Sequence, residues 1–280
     1  GGYDLIAIDE AQQIPNIGMG LKILVDQVPD IRIIATGSSS FDLSQQIGEP
    51  LTGRKRTITL YPLSQKELNF KFNKHELREG LEDFLIFGTY PEVALAKDKN
   101  KKIEILNEIV DSYLIKDILS LERVKSPKLL MNLLKLLAFQ IGSQVSLNEL
   151  ANQLDIDIKT VDRYLDLLEK GFVIRSIGGF SRNLRKEVKN KYKYFFLDNG
   201  IRNAVINQYN AVEDRIDVGQ LFENFIVMER FKYNAYKEHL GMSYFWRTYD
   251  GQEIDLVEER GGNNAKFRIV NRSNYLDFIL

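Results

Sequence analysis

Four consecutive apolar residues, Leu5-Ile6-Ala7-Ile8, run directly into two adjacent carboxylates, Asp9-Glu10. A short uninterrupted apolar run does not alternate as a strand with one wet face would, so it predicts a strand buried on both sides, as in a parallel sheet. A second run, Ile31-Arg32-Ile33-Ile34-Ala35, follows a stretch from Ile17 to Val28 whose apolar spacing is helical. Strand, short helix and strand predict a parallel pair whose carboxyl ends lie side by side. Asp9, Glu10 and Thr36, with Ser38 close behind, then share one edge. Thr57 to Tyr61 predicts a third strand, ended by Pro62.

Composition narrows the chemistry at that edge. The 280 residues hold no Cys and only two His, His75 and His239, so disulfides, thiol catalysis and Cys or His zinc sites are excluded. A metal would be held by oxygen ligands, which favours magnesium. A net charge of −1 excludes a uniformly basic nucleic-acid coat. The best apolar run, Leu129 to Phe139, is interrupted by Lys135 and is too short to span a bilayer. The expectation is a soluble, cytoplasmic protein with no membrane partner. A chain that opens inside a core strand also predicts that the natural protein is longer at its N-terminus.

The remaining chain divides by pattern. Residues 64–126 are helical, with a break at Gly88-Thr89-Tyr90-Pro91 and a Lys-rich turn from Lys97 to Lys102, and predict a lid or connector. In residues 127–212 the helices Lys128 to Ile141, Leu147 to Leu154 (N-cap Ser146, with Glu149 at the capping-box position) and Ile158 to Lys170 (C-cap Gly171) precede strands Phe172 to Ile177 and Tyr192 to Leu197. Three helices and a hairpin predict a winged helix-turn-helix. Residues 213–280 return to α/β, with a helix from Val218 to Tyr236, strands Ser243 to Thr248 and Glu253 to Glu258, and a final segment from Lys266 to Leu280.

Seven basic residues against two acidic ones lie between Gly171 and Gly200. Arg182, Arg185, Lys186 and Lys189 there could meet phosphates while Lys159 and Arg163 of the last helix face a groove of double-stranded DNA. Asp155, Asp157, Asp162 and Asp166 crowd that helix and oppose a duplex, so a domain-packing role with a solvated basic loop stands beside the DNA reading.

The Asp9-Glu10 pair matches the Walker B arrangement of a P-loop NTPase, in which Asp9 holds magnesium through water and Glu10 polarises the attacking water. The plainer alternative is a solvated acidic turn. At the neighbouring strand end Thr36, or failing that Ser38, can sense a γ-phosphate. Arg54 can reach a phosphate of its own or a neighbouring subunit, or be a surface residue beside Lys55 and Arg56. Tyr3 to Gln12, Ala35-Thr36-Gly37-Ser38, Leu51-Thr52-Gly53-Arg54 and Tyr61-Pro62-Leu63-Ser64, continued by Gly88 to Val93 and Tyr113 to Ile118, together resemble bacterial and archaeal AAA-type ATPases that carry a C-terminal domain of unknown function. The resemblance covers nearly the whole chain. It implies a partial P-loop NTPase core in residues 1–63, then the helical lid and winged helix, then an α/β restriction-endonuclease-like domain. ATP and Mg2+ are the implied cofactors, and self-association an implied partnership.

Two departures matter. No G-x-x-x-x-G-K-[ST] occurs in the sequence, so the nest that cradles phosphates is missing; the family places it upstream of Walker B. In the last domain Glu223 and Asp255 resemble the first two acidic positions of the nuclease-like site, but no Glu-x-Lys follows. Either that site has decayed or a segment near Gly262 and Asn263 has dropped out, and the structural alternative has Glu223 capping or pairing Arg247. A competing reading of the whole chain is a non-catalytic DNA-binding or scaffolding protein with a remnant ATPase core.

Overall fold

Two parallel strands open the chain in the computed structural model, which describes residues 4–37, 51, 53–114, 118, 126–180, 192–237, 241–248, 252–260 and 263–267. Strand β1 (Leu5–Ile8) pairs with β2 (Arg32–Ala35), Leu5 opposite Arg32 through Ile8 opposite Ala35. Helix α1 (Ile17–Gln27) crosses between them and packs Ile17, Leu21 and Val25 against Ile8, Ile33 and Ala35, with Ala11 and Leu51 closing this small core. Among the described residues only one face of the pair is covered. On the other, Leu5 is 51% and Ile34 53% exposed.

The third strand expected at Thr57 to Tyr61 does not form. Residues 55–60 have no regular structure, and Ile58 and Leu60 are 69% and 86% exposed. An apolar alternation becomes a strand only where a neighbouring edge takes up its backbone bonds, and no described edge does so here.

Short helices follow: α2 (Gln65–Leu68), α3 (Lys74–Glu79), α4 (Leu81–Phe87), α5 (Pro91–Leu95) and α6 (Lys99–Glu108), with a π-helical stretch at Ile109–Leu114. Their starts are written in the sequence. Ser64 with Glu67, and Asn73 with Glu76, form reciprocal capping boxes, and Asp98 accepts the Lys101 N–H. Helix α7 (Pro127–Phe139), strand β3 (Gln144–Val145), α8 (Leu147–Leu154) and α9 (Ile158–Lys170) come next, with Ser126, Ser146 and Asp157 as N-caps and Gly171 after α9.

Strands β4 (Ile174–Gly179) and β5 (Tyr192–Phe196) are antiparallel, and α10 (Asn199–Val205) and α11 (Val218–Tyr236) lead to β6 (Met242–Arg247), β7 (Glu253–Arg260) and β8 (Asn263–Phe267). All six later strands form one sheet in the order β3-β5-β4-β6-β7-β8. The join is parallel and short, Gly178 opposite Tyr244 and Gly179 opposite Phe245. The hairpin expected to stand as a wing and the strands of the C-terminal part therefore share backbone bonds.

Helix α11 is apolar on two sides because it has two neighbours. Leu221, Phe222, Phe225 and Ile226 pack on Leu68, Leu77, Leu81, Phe84 and Leu85. Val227 and Met228 pack on Ile177, Phe195, Phe245 and Leu256 of the sheet. Each such buried side chain contributes about 1.5–3 kcal/mol, which anchors the helix between the layers. No described helix is long and apolar enough to cross a membrane.

Candidate functional site

The ends of β1 and β2 carry the first candidate site. Parallel pairing brings Thr36 beside Asp9: the Thr36 N–H donates to the Ile8 carbonyl at 2.9 Å and the Ala11 N–H to the Thr36 carbonyl at 2.9 Å. With the backbones so tied, the Thr36 hydroxyl donates to Asp9 Oδ1, which also accepts the Glu10 N–H at 3.1 Å. Asp9 Oδ2 takes no bond from another described residue. Glu10 sits in the left-handed region (φ 47°, ψ 45°), starting a 3-10 turn at Ala11–Gln13, and Gln12 Nε2 donates to its Oε2 at 2.6 Å.

Arg54 is turned elsewhere. Its guanidinium is ion-paired with Asp26 at the end of α1, and its side chain is 57% exposed. Ser38 lies outside the described residues, as do Arg182, Arg185, Lys186 and Lys189. Lys159 and Arg163 are exposed on α9, Arg163 stacked over the Tyr164 ring at 5.5 Å. On the same helix Asp166 pairs with Lys170 at 2.6 Å, and the N-cap Asp157 accepts from both the N–H and the hydroxyl of Thr160. The exposed charge of α9 is thus mixed and partly neutralised within the helix.

The second candidate site lies between α11 and the sheet. Glu223 does not pair with Arg247; its partner is Lys193 of β5, at 3.0 Å, and Lys193 also reaches Glu253 of β7 at 2.6 Å. Asp255 is near enough to raise the proton affinity of Glu223 electrostatically. Burial is the largest influence and pushes the Glu223 carboxyl up to about 7, against the opposing pull of Lys193. Burial works to lower the Lys193 pKa, yet Glu223 and Glu253 together outweigh it and the net shift is upward. Lys193 is 2% exposed, with its ammonium 5.4 Å above the Phe245 ring. Among the described residues no group of three or more His, Asp or Glu is arranged to hold a metal ion. An ammonium, not a cation site, occupies the space between these carboxylates.

Sequence reasoning does not mark Gln12 or Glu253, and it counts Lys193 only among the seven basic residues of a phosphate-facing wing, whereas the side chain is buried and ion-paired. Gln12 acts at two residues' distance, where a surface polar residue carries no pattern. For Lys193 a signal existed, a lone charge inside Tyr192-Lys193-Tyr194-Phe195-Phe196, since a lysine in a buried strand needs a carboxylate.

Residues 2–69 match an AAA domain. This AAA-type segment includes every residue of the β1–β2 edge. Residues 78–211 match a domain of unknown function (DUF8612) and residues 218–275 another (DUF4143). An uncharacterized protein of Haemophilus influenzae is 28% identical over 261 residues, covering 89% of this chain and 62% of that protein. One of Mycobacterium tuberculosis is 29% identical over 273 residues, covering 96% and 59%. One of Methanocaldococcus jannaschii is 30% identical over 268 residues, covering 89% and 57%. The chain thus spans about three fifths of the length of the curated relatives it matches. No solved structure matches it.

The donor set of the AAA-type segment suits one end of a magnesium nucleotide. Among the described residues one Asp9 oxygen is held and the other takes no bond, and magnesium is commonly held through one or two carboxylates and several waters. The phosphate end has no counterpart, because the sequence contains no P-loop.

Proposed function

We propose that the β1–β2 edge is the acidic half of an AAA-type ATPase site whose phosphate cradle is supplied by chain beyond these residues. The observation that carries this reading is the Thr36 hydroxyl on Asp9 Oδ1, which couples the polar ends of two adjacent parallel strands. Bound ATP and Mg2+ would supply the phosphoryl group and the charge that polarises it. Asp9 would hold the cation through water, Glu10 would orient the attacking water, and Thr36, with Ser38 as second choice, would read the γ-phosphate. Arg54 would have to leave Asp26 to stabilise phosphate charge, which its exposure permits. The uncovered apolar positions Leu5, Ile34, Ile58 and Leu60 support a larger sheet than these residues build.

The remaining parts are read as the moving load. Residues 127–212 are proposed as a winged helix and 213–280 as a restriction-endonuclease-like domain, repositioned by nucleotide, with double-stranded DNA and a second copy of the chain as candidate partners. Nuclease chemistry is not proposed, since Lys193 fills the space between Glu223 and Glu253.

The deciding experiment uses the full-length natural protein. Glu10→Gln should retain binding of a fluorescent ATP analogue with magnesium and lose hydrolysis. Unchanged turnover in that variant, or no nucleotide binding by either protein, overturns the ATPase reading.

A further inference from the structure

Near the C-terminal end of the AAA-type segment, three alternate residues are bound to α11. The Tyr61 N–H donates to Tyr236 Oη at 3.2 Å, Lys232 Nζ donates to the Leu63 carbonyl at 3.2 Å, and the Gln65 N–H donates to Glu229 Oε2 at 2.7 Å. Residues 61, 63 and 65 advance by two, the spacing of an extended chain. Glu229, Lys232 and Tyr236 advance by three and four, which is one face of a helix, and the two runs are antiparallel. The lengths agree: four extended residues reach roughly 13 Å and seven helical residues roughly 10 Å.

The contact is specific as well as periodic. Lys232 Nζ lies 3.0 Å from Glu229 Oε1 and 3.4 Å from Thr89 Oγ1, and the Thr89 N–H donates to the fully buried Asp198 at 2.7 Å. A buried ion pair contributes little net stability, but it fixes geometry because removing either partner leaves a charge stranded. Beside it lies a cleft of about 250 Å³, lined by Ser64, Lys66, Phe70, Tyr233 and Tyr236 among others. The first half of the same helix holds the sheet: Asn224 accepts the Phe196 N–H at 2.8 Å and donates to the Phe196 carbonyl at 2.9 Å, next to Glu223 on Lys193.

We propose that Glu229, Lys232 and Tyr236 form a clasp through which displacement of Tyr61–Gln65 is passed along α11 to the Asn224–Phe196 and Glu223–Lys193 contacts. Glu229 lies five positions after Asn224, so the two sets of contacts are roughly 8 Å apart along one stiff helix. The coupling lies in this chain's own contacts and stands whether or not nucleotide is what moves the segment.

Amide hydrogen exchange read by NMR on the 280-residue chain tests it. Tyr236→Phe removes the acceptor of Tyr61, and Lys232→Met removes the charge that holds Leu63. The expected result is at least tenfold faster exchange at Tyr61 in the first variant. In both variants Phe196 should lose protection while Leu134, in α7, keeps it. Release of Tyr61 with Phe196 unchanged makes the clasp local packing and overturns the proposal, as does equal loss at Phe196 and Leu134. Should Lys232→Met fail to fold, Tyr236→Phe alone decides by the same criterion.

Discussion

Glu223 is joined to Lys193 at 3.0 Å across thirty residues of sequence, and the contact ties the long helix to a strand that precedes it. It also sets a pH dependence. Burial holds the Glu223 carboxyl at about 7, above the value near 4.5 expected in an unfolded chain. Between those limits the folded protein keeps a proton that the unfolded chain has lost. The stability from this group is therefore fully present below about pH 4.5 and is lost as pH rises through 7. Glu223→Gln cannot titrate. In urea unfolding at pH 5 and pH 8 the wild type should lose on the order of 2–3 kcal/mol more than the variant. Equal losses would refute this account of the group.

Asp217 serves two buried guanidiniums. Arg202 Nη1 reaches it at 2.6 Å and Arg215 Nη2 at 2.8 Å, while Arg202 also donates twice to the Ala138 carbonyl, at 2.9 and 2.6 Å. Burial opposes ionisation of Asp217, but the two Arg prevail and its pKa is lowered. Asp217→Asn strands both cations and should cost about 3–5 kcal/mol in a urea titration. Asp214→Asn, nearby in the same loop, should cost under about 0.5 kcal/mol. A small loss for Asp217→Asn would mean that the Arg side chains find water.

What the sequence made legible was local. Caps at Ser146 and Gly171 need only neighbouring residues, and α8 and α9 have the predicted bounds. The meeting of Asp9 with Thr36 was legible because two apolar runs around one helix admit few arrangements. The partner of Glu223 was not, since any of several charges could reach it once the sheet was closed. Nor was the two-residue parallel join of β4 to β6, which leaves no periodic trace. Thr57 to Tyr61 failed for a related reason: a strand's existence depends on an edge that its own residues do not specify.

The first turn of α10 is packed against backbone with no room for a side chain at Gly200. A Cβ added at Gly200 would stand 2.0 Å from the Phe87 carbonyl oxygen, which cannot swing aside. Gly200→Ala should therefore cost more than about 4 kcal/mol or leave the protein insoluble. Gly219, with nothing within 4 Å of its added Cβ, is the control. There the change to Ala removes helical glycine entropy and should be neutral or stabilising by up to about 1 kcal/mol. Both follow from melting curves and soluble yield, and a well-folded Gly200→Ala variant would contradict the packing described.

Glu10 carries backbone strain at the start of the 3-10 turn. Its left-handed conformation costs a residue with a side chain about 1 kcal/mol relative to Gly. Glu10→Gly and Glu10→Ala both lose the carboxylate and its bond from Gln12, so the difference between them isolates the backbone. Glu10→Gly should be the more stable by about 1 kcal/mol, read as roughly fivefold greater protection of the Thr36 amide, which bonds the Ile8 carbonyl beside the turn. Equal protection would show that the turn relaxes without cost. A gain on substituting glycine would show that the left-handed turn at position 10 is held at the expense of stability.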